Sequence, residues 1–222
     1  MNKHTPTVGI IGGTRFDANL GMALFKQQGV ETIGAGISET PEEATSLQIL
    51  SPVKLHRLVV NQMLSLKKEY DIKTVCIYCN SMSTAINPKE AAEETGMKIV
   101  TPLDVYRQIA DQYRTIGLMA ANCQSLGGIE KVIQEQNHAA QVIGTAMLQI
   151  AIEIEKGTDP RFIMKSLGLL HLVRFFESAD VDVLILGCTH FPALESTLTG
   201  LTSLPIVNPG KEMVHLCRLD QP

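Results

Sequence analysis

Apolar residues along this chain fall into two patterns. Short unbroken runs, bounded by Gly, Pro or charged residues, alternate with longer stretches in which apolar positions return every three to four residues. The runs predict strands at Val8–Ile11, Thr32–Ala35, Thr74–Tyr78, Lys98–Val100, Thr115–Met119, Gln141–Gly144, Val183–Leu186 and Pro205–Val207. The spaced stretches predict helices at Asn19–Gln28, Val53–Tyr70, Pro88–Thr95, Leu103–Gln112, Leu126–Gln136, Pro160–Ser178 and Pro192–Leu198. Pro88, Pro160 and Pro192 stand at helix starts, where a missing N–H costs nothing. Val53–Tyr70 carries an apolar face of Leu55, Leu58, Val59, Met63 and Leu66, with Lys67, Lys68 and Glu69 in solvent. Apolar strands alternating with helices predict an α/β fold whose sheets are mainly parallel and covered by helices on both faces.

The pattern repeats. "TVGI" at Thr7–Ile10 returns as "TIGL" at Thr115–Leu118, and "IVTP" at Ile99–Pro102 returns as "IVNP" at Ile206–Pro209. Cys79 follows Gly9 by 70 positions and Cys188 follows Gly117 by 71, each closing an apolar strand. Three landmarks in one order at matched spacing predict two similar α/β halves. The first is expected to span 1–102, completed by the C-terminal 208–222, and the second 103–207. Related by a pseudo-twofold axis, such halves would hold a site in the cleft between them, at the carboxyl ends of their strands.

Charge and cysteine content narrow the function. The 222 residues carry a formal charge of −4 with acids and bases interspersed and no basic tract, which argues against nucleic acid as a partner. The segment "MNKHTPTVGIIGGT" has neither the length nor the flanks of a secretory signal, and no apolar run approaches the roughly 18 residues of a membrane span. A soluble, cytoplasmic protein is expected. Five cysteines, an odd number, predict free thiols rather than a disulfide framework. The glycines of "GIIGGT" lack the G-x-G-x-x-G spacing of a dinucleotide site and read as a close approach of backbone to a ligand, with the Thr14 hydroxyl beside it.

Cys79 and Cys188 each end a strand and precede a predicted helix start, where a thiol ionises more readily than its ordinary pKa of about 8.5 allows. Asn80, Ser81 and Thr189 add donors at the same turns, and His190 lies close enough in sequence to set the protonation of Cys188. Two thiols approaching one carbon from opposite sides suit a small carboxylate substrate with an acidic Cα–H. One thiolate removes the proton, the other thiol returns one to the opposite face, and neither metal nor cofactor is needed. Cys76 forms a C-x-x-C with Cys79, but its place inside a strand and the lack of a second ligand pair make it a core residue rather than a metal or redox group. Cys123 reads as a turn thiol, and Cys217 has no assigned role.

At these residues the chain resembles the cofactor-independent aspartate/glutamate racemase superfamily. "YCNSMSTA" (Tyr78–Ala85) resembles the first catalytic-cysteine segment of that family, with Ser81 replacing the usual Thr, and "LGCTHFPAL" (Leu186–Leu194) resembles the second segment of glutamate racemases. "TIGLMAANCQS" resembles the opening of the second half. The resemblance implies that Cys79 and Cys188 are the acid–base pair. It also implies that Asn80, Ser81 and Thr189 bind an acidic amino acid in a racemase without pyridoxal phosphate or metal, commonly a homodimer, and the place of His190 in the second segment adds it to the site, where the Thr14 hydroxyl read from the glycines joins them. The Asp-Ser-Gly opening of glutamate racemases, whose Asp lies beside the first cysteine, is absent. Gly12 and Gly13 stand there, as in aspartate racemases, and Arg15, Lys54 and Arg57 are candidate partners of a distal carboxylate.

Related enzymes offer alternatives: a hydantoin racemase, a maleate isomerase, a one-cysteine arylmalonate decarboxylase, or a protein that binds an amino acid without turnover. A Cys–His hydrolase is set aside on the expectation that Cys188 and His190 are too close in sequence to face each other and lack an orienting partner.

Overall fold

A computed structural model describes residues 8–218. The chain divides into two compact units, residues 8–104 with 210–218, and residues 105–209. The division falls inside a helix, Pro102–Ile109.

The first unit holds four parallel strands, β1 (Val8–Thr14), β2 (Thr32–Ser38), β3 (Thr74–Tyr78) and β4 (Lys98–Val100), in the order β2-β1-β3-β4. The second repeats that order with β5 (Thr115–Ala120), β6 (Gln141–Ala146), β7 (Val183–Gly187) and β8 (Ile206–Val207), as β6-β5-β7-β8. Each sheet therefore puts its first and third strands at the centre. Every residue of β1 and β7 is buried, as their unbroken apolar runs require when helices cover both faces. The edge strands β2 and β6 are mostly half-exposed. Asp71 and Asp180 take left-handed φ of 51° and 50° in the turns entering β3 and β7, so even the approach to the two cysteine-bearing strands repeats.

The helices are α1 (Arg15–Gln27), α2 (Pro41–Leu50), α3 (Pro52–Tyr70), α4 (Asn80–Ala85), α5 (Pro88–Thr95), α6 (Pro102–Ile109), α7 (Cys123–Gln136), α8 (Leu148–Glu155), α9 (Pro160–Ser166), α10 (Leu169–Ser178), α11 (Glu195–Thr199) and α12 (Pro209–Arg218). Their starts follow local chemistry. Thr14 and Asp17 form a reciprocal capping box on α1, Asn122 and Ser125 one on α7, and Asp159 caps α9 just before Pro160. The capping box explains why α1 begins at Arg15 rather than at Asn19. The helix expected over Pro160–Ser178 is two helices, because Gly168 turns the chain at a φ of 66° and so ends α9 before α10 begins. The stretch expected as a helix from Pro192 opens as a 3₁₀ turn, Phe191–Leu194, before α11.

On α3 the buried face is Leu55, Val59, Val60, Met63 and Leu66, with Val60 rather than Leu58 completing it. Together with Ile72, Val75, Ile77, Met82 and Met97 these residues form the core of the first unit beneath β1 and β3. Helix α12 packs on the same unit through buried Met213, Val214 and Cys217, and Lys98 Nζ donates to the Leu216 carbonyl (3.0 Å). Among the described residues no helix is long and apolar enough to cross a membrane.

Candidate active site

In the first unit the site elements gather at the carboxyl ends of β1 and β3. Cys79 leaves β3 in an extended conformation and forms the N-cap of α4, its carbonyl accepting from the Ser83 N–H (3.1 Å) and the Ser83 hydroxyl (2.7 Å). Its thiol is buried, and Ser81 Oγ lies 3.5 Å from Sγ. Asn80 is buried in the first turn of α4 and Ser81 is half-buried beside it. Thr14 is buried at the tip of β1, and its Oγ1 accepts from the Asp17 N–H (3.1 Å), so this hydroxyl oxygen serves the α1 cap. Cys79, Asn80, Ser81 and Thr14 thus occupy the tips of two adjacent central strands.

Gly13 shows why this corner needs glycine. A Cβ at that position would stand 2.8 Å from Cys79 Sγ and 3.1 Å from Asp17 Oδ2, so close that the sulfur would have to shift to admit it. The Ser38 hydroxyl donates to the Gly13 carbonyl (2.6 Å) and holds the strand in place. What the double glycine brings close to backbone here is the cysteine sulfur.

In the second unit Cys188, Thr189 and His190 follow β7 and are all buried. His190 adopts helical backbone angles at the start of the 3₁₀ turn, which folds its ring back toward the strand end. Nδ1 comes to 3.6 Å from Cys188 Sγ, and Nε2 to 2.8 Å from Glu155 Oε1. This overturns the expectation that Cys188 and His190 cannot face each other and that no orienting partner exists. The turn beyond β7 frees the imidazole from the strand's alternation, and Glu155, the last residue of α8, orients it. The carboxylate places the ring proton on Nε2, leaving Nδ1 to accept from the Cys188 thiol. Sulfur, imidazole and carboxylate are thus joined by contacts along which a proton can pass.

Two further groups carry no signal in the sequence. Tyr106 on α6 is fully buried, and burial first, then the charge of Cys188, pushes its phenol well above the ordinary range, so it stays an O–H near that sulfur. Glu155 ends a helix whose pattern announces only an apolar face.

The other cysteines separate cleanly from this chemistry. Burial, then a hydrogen bond with Cys217, raises the Cys76 thiol well above its usual value, so Cys76 is an inert core thiol. Cys123 opens α7 and is exposed. Arg15, Lys54 and Arg57 are exposed on α1 and α3. His56, Glu90 and Glu94 on α3 and α5 bring three possible metal-ligand atoms within 4.8 Å of one another.

No family model matches the chain. In sequence it is similar to the glutamate racemase of Latilactobacillus sakei subsp. sakei (strain 23K), 24% identical over 164 residues, which are 70% of this chain and 58% of that protein. The chain spans about three fifths of the length of the curated relatives it matches, 58% and 60% for two of them. Among solved structures it is similar to the glutamate racemase of Francisella tularensis subsp. tularensis SCHU S4 in complex with D-glutamate, with a TM-score of 0.74 at 16% identity, covering 96% of this chain and 79% of that one. An aspartate racemase homologue from Pyrococcus horikoshii OT3 gives a TM-score of 0.67 at 16% identity, covering 95% of this chain and 98% of that one. At such identities the structural likeness speaks for the fold.

Proposed function

From the aspartate/glutamate racemase superfamily, which the sequence relatives and the structural neighbours jointly support, we propose that this chain racemises an acidic amino acid, aspartate or glutamate, with Cys79 and Cys188 as its two bases. The observation that carries the reading is the pair of buried thiols at equivalent strand tips of two sheets with the same order. The reaction requires the two sulfurs to approach one α-carbon from opposite faces. In one direction the Cys188 thiolate, formed through His190 and Glu155, takes the α-proton, and the Cys79 thiol protonates the carbanion on the other face. In the other direction the roles exchange. Asn80, Ser81, Thr189 and Thr14 surround these positions with amide and hydroxyl groups suited to the substrate's carboxylate and ammonium. Stabilisation of the carbanion by such preorganised donors has to supply much of the lowering of the barrier, because an amino-acid α-proton is weakly acidic. The same reading makes the enzyme a cytoplasmic homodimer without metal or pyridoxal phosphate, its halves spanning 1–102 with 208–222 and 103–207.

Pure protein incubated with L- or D-aspartate and glutamate in heavy water should exchange the α-hydrogen, seen by proton NMR, and yield the opposite enantiomer, seen by chiral chromatography. Cys79→Ser and Cys188→Ser should each abolish racemisation. Substantial turnover in one of them would instead point to a one-thiol decarboxylase, and tight amino-acid binding without exchange to a binding protein. The Cys188–His190–Glu155 geometry favours one second reading, a cysteine hydrolase. That reading predicts a covalent acyl adduct on Cys188 by mass spectrometry and no D-isomer.

A further inference from the structure

We propose that Asp17 is a positioning residue for the Cys79 proton, acting across the open face of Gly13; this deepens the two-thiol reading and rests on it. A carbon at the Gly13 β-position would be 2.8 Å from Cys79 Sγ and 3.1 Å from Asp17 Oδ2, which puts sulfur and carboxylate oxygen within about 6 Å of each other on the same side of β1. Glycine leaves the space between them open, and the bond from Ser38 Oγ to the Gly13 carbonyl keeps the strand from drifting into it. Asp17 is 3% exposed, so its carboxylate works in a poorly hydrated setting where charge–proton coupling is strong. Its Oδ2 accepts from the Thr14 N–H at 3.4 Å, a long bond for a cap. The first-turn place that suits Asp17 to cap α1 also turns it toward the sulfur.

Other elements pack near Cys79. Ser81 of α4 contributes a hydroxyl, the buried residues of α3 are Leu55, Val59, Val60, Met63 and Leu66, and those of α2, which packs on α4, are Pro41, Ala44 and Gln48. Asp17 is the titratable group that α1 brings to this corner. When Cys79 acts as base, its thiol proton passes to Asp17, the thiolate takes the α-proton, and the Cys188 thiol protonates the opposite face. One proton returned through solvent from the Asp17 carboxylic acid to the Cys188 thiolate restores the starting state.

Asp17→Asn keeps a capping oxygen and removes the charge. It should lower kcat/KM roughly tenfold to a hundredfold, the lower end of what an acid–base group supplies. The loss must be equal for both enantiomers, whose equilibrium constant is unity. The α-deuterium isotope effect on kcat/KM should rise for the enantiomer deprotonated by Cys79 and fall for the other, a response that a purely structural cap does not produce. Independently of substrate, the pH midpoint of Cys79 alkylation by iodoacetamide, located by mass spectrometry in a Cys123→Ser background, should move down once the neighbouring anion is gone. Gly13→Ala, which wedges a methyl between the two groups, should move the midpoint the same way and serves if Asp17→Asn does not fold. An unchanged midpoint in the folded variant, or unchanged isotope effects in an active Asp17→Asn enzyme, overturns the proposal. Because alkylation needs no turnover, a protein that racemises nothing defeats the functional reading while leaving the coupling of Asp17 to Cys79 separately measurable.

Discussion

His190 sits two residues beyond Cys188 yet meets its sulfur, because the chain leaves β7 before the ring has to choose a sheet face. Glu155 then converts proximity into a defined proton position. On the two-thiol proposal, Glu155→Gln, which keeps the shape and removes the charge, should lower racemisation by roughly tenfold or more, within the range for general acid–base assistance. Its isotope-effect asymmetry should favour the enantiomer deprotonated by Cys188, opposite in sense to that of Asp17→Asn. At this scale the sequence announced the cysteines and their immediate successors, since an apolar run ending in "CNS" or "CTH" marks a strand tip. It did not announce Asp17, Glu155 or Tyr106. Asp17 and Tyr106 come near a sulfur and Glu155 meets the His190 ring, each from an element adjacent in space, and the neighbourhood of each reads as an ordinary helix turn.

Elements were most legible where composition changes abruptly. β3 and β4 match their expected bounds because charged or polar residues flank short apolar runs. The division of α9 from α10 was hidden because apolar periodicity continues through Gly168, whose left-handed φ no pattern of polarity reports. Gly168→Ala should cost on the order of 1 kcal/mol in urea unfolding, the penalty for forcing a Cβ into that region. Asp182 governs another junction: its Oδ2 accepts from the N–H groups of Arg114 (2.8 Å) and Thr115 (2.7 Å) where β5 and β7 begin. These backbone bonds, Thr115 first, hold its carboxyl below the usual value. A depressed carboxyl contributes stability above its unfolded pKa and loses it as pH falls through the folded one. Asp182→Asn should therefore melt below the wild type at neutral pH, and the gap should close in acid below the ordinary carboxyl range. Thermal melts between pH 7 and pH 3 check this.

Across the whole chain, the matched spacing of Gly9, Cys79 and Pro102 with Gly117, Cys188 and Pro209 foretold two sheets of one order, because duplicated landmarks fall on equivalent strands. The first unit also relies on a distant segment. Met213, Val214 and Cys217 are buried there, and at about 1.5–3 kcal/mol per fully buried large side chain their loss would consume much of a marginal domain's stability. A chain ending at Asn208 should accordingly bind a hydrophobic dye and expose the Cys76 thiol to reagent, whereas the full chain should do neither. Of the five thiols four are buried and Cys123 alone is exposed, at the head of α7. A colorimetric titration of the native protein should thus register one rapid equivalent from Cys123, and inactivation by a maleimide has to be timed against that first event. The same sulfur offers a ready-made point for attaching a fluorophore or a solid support.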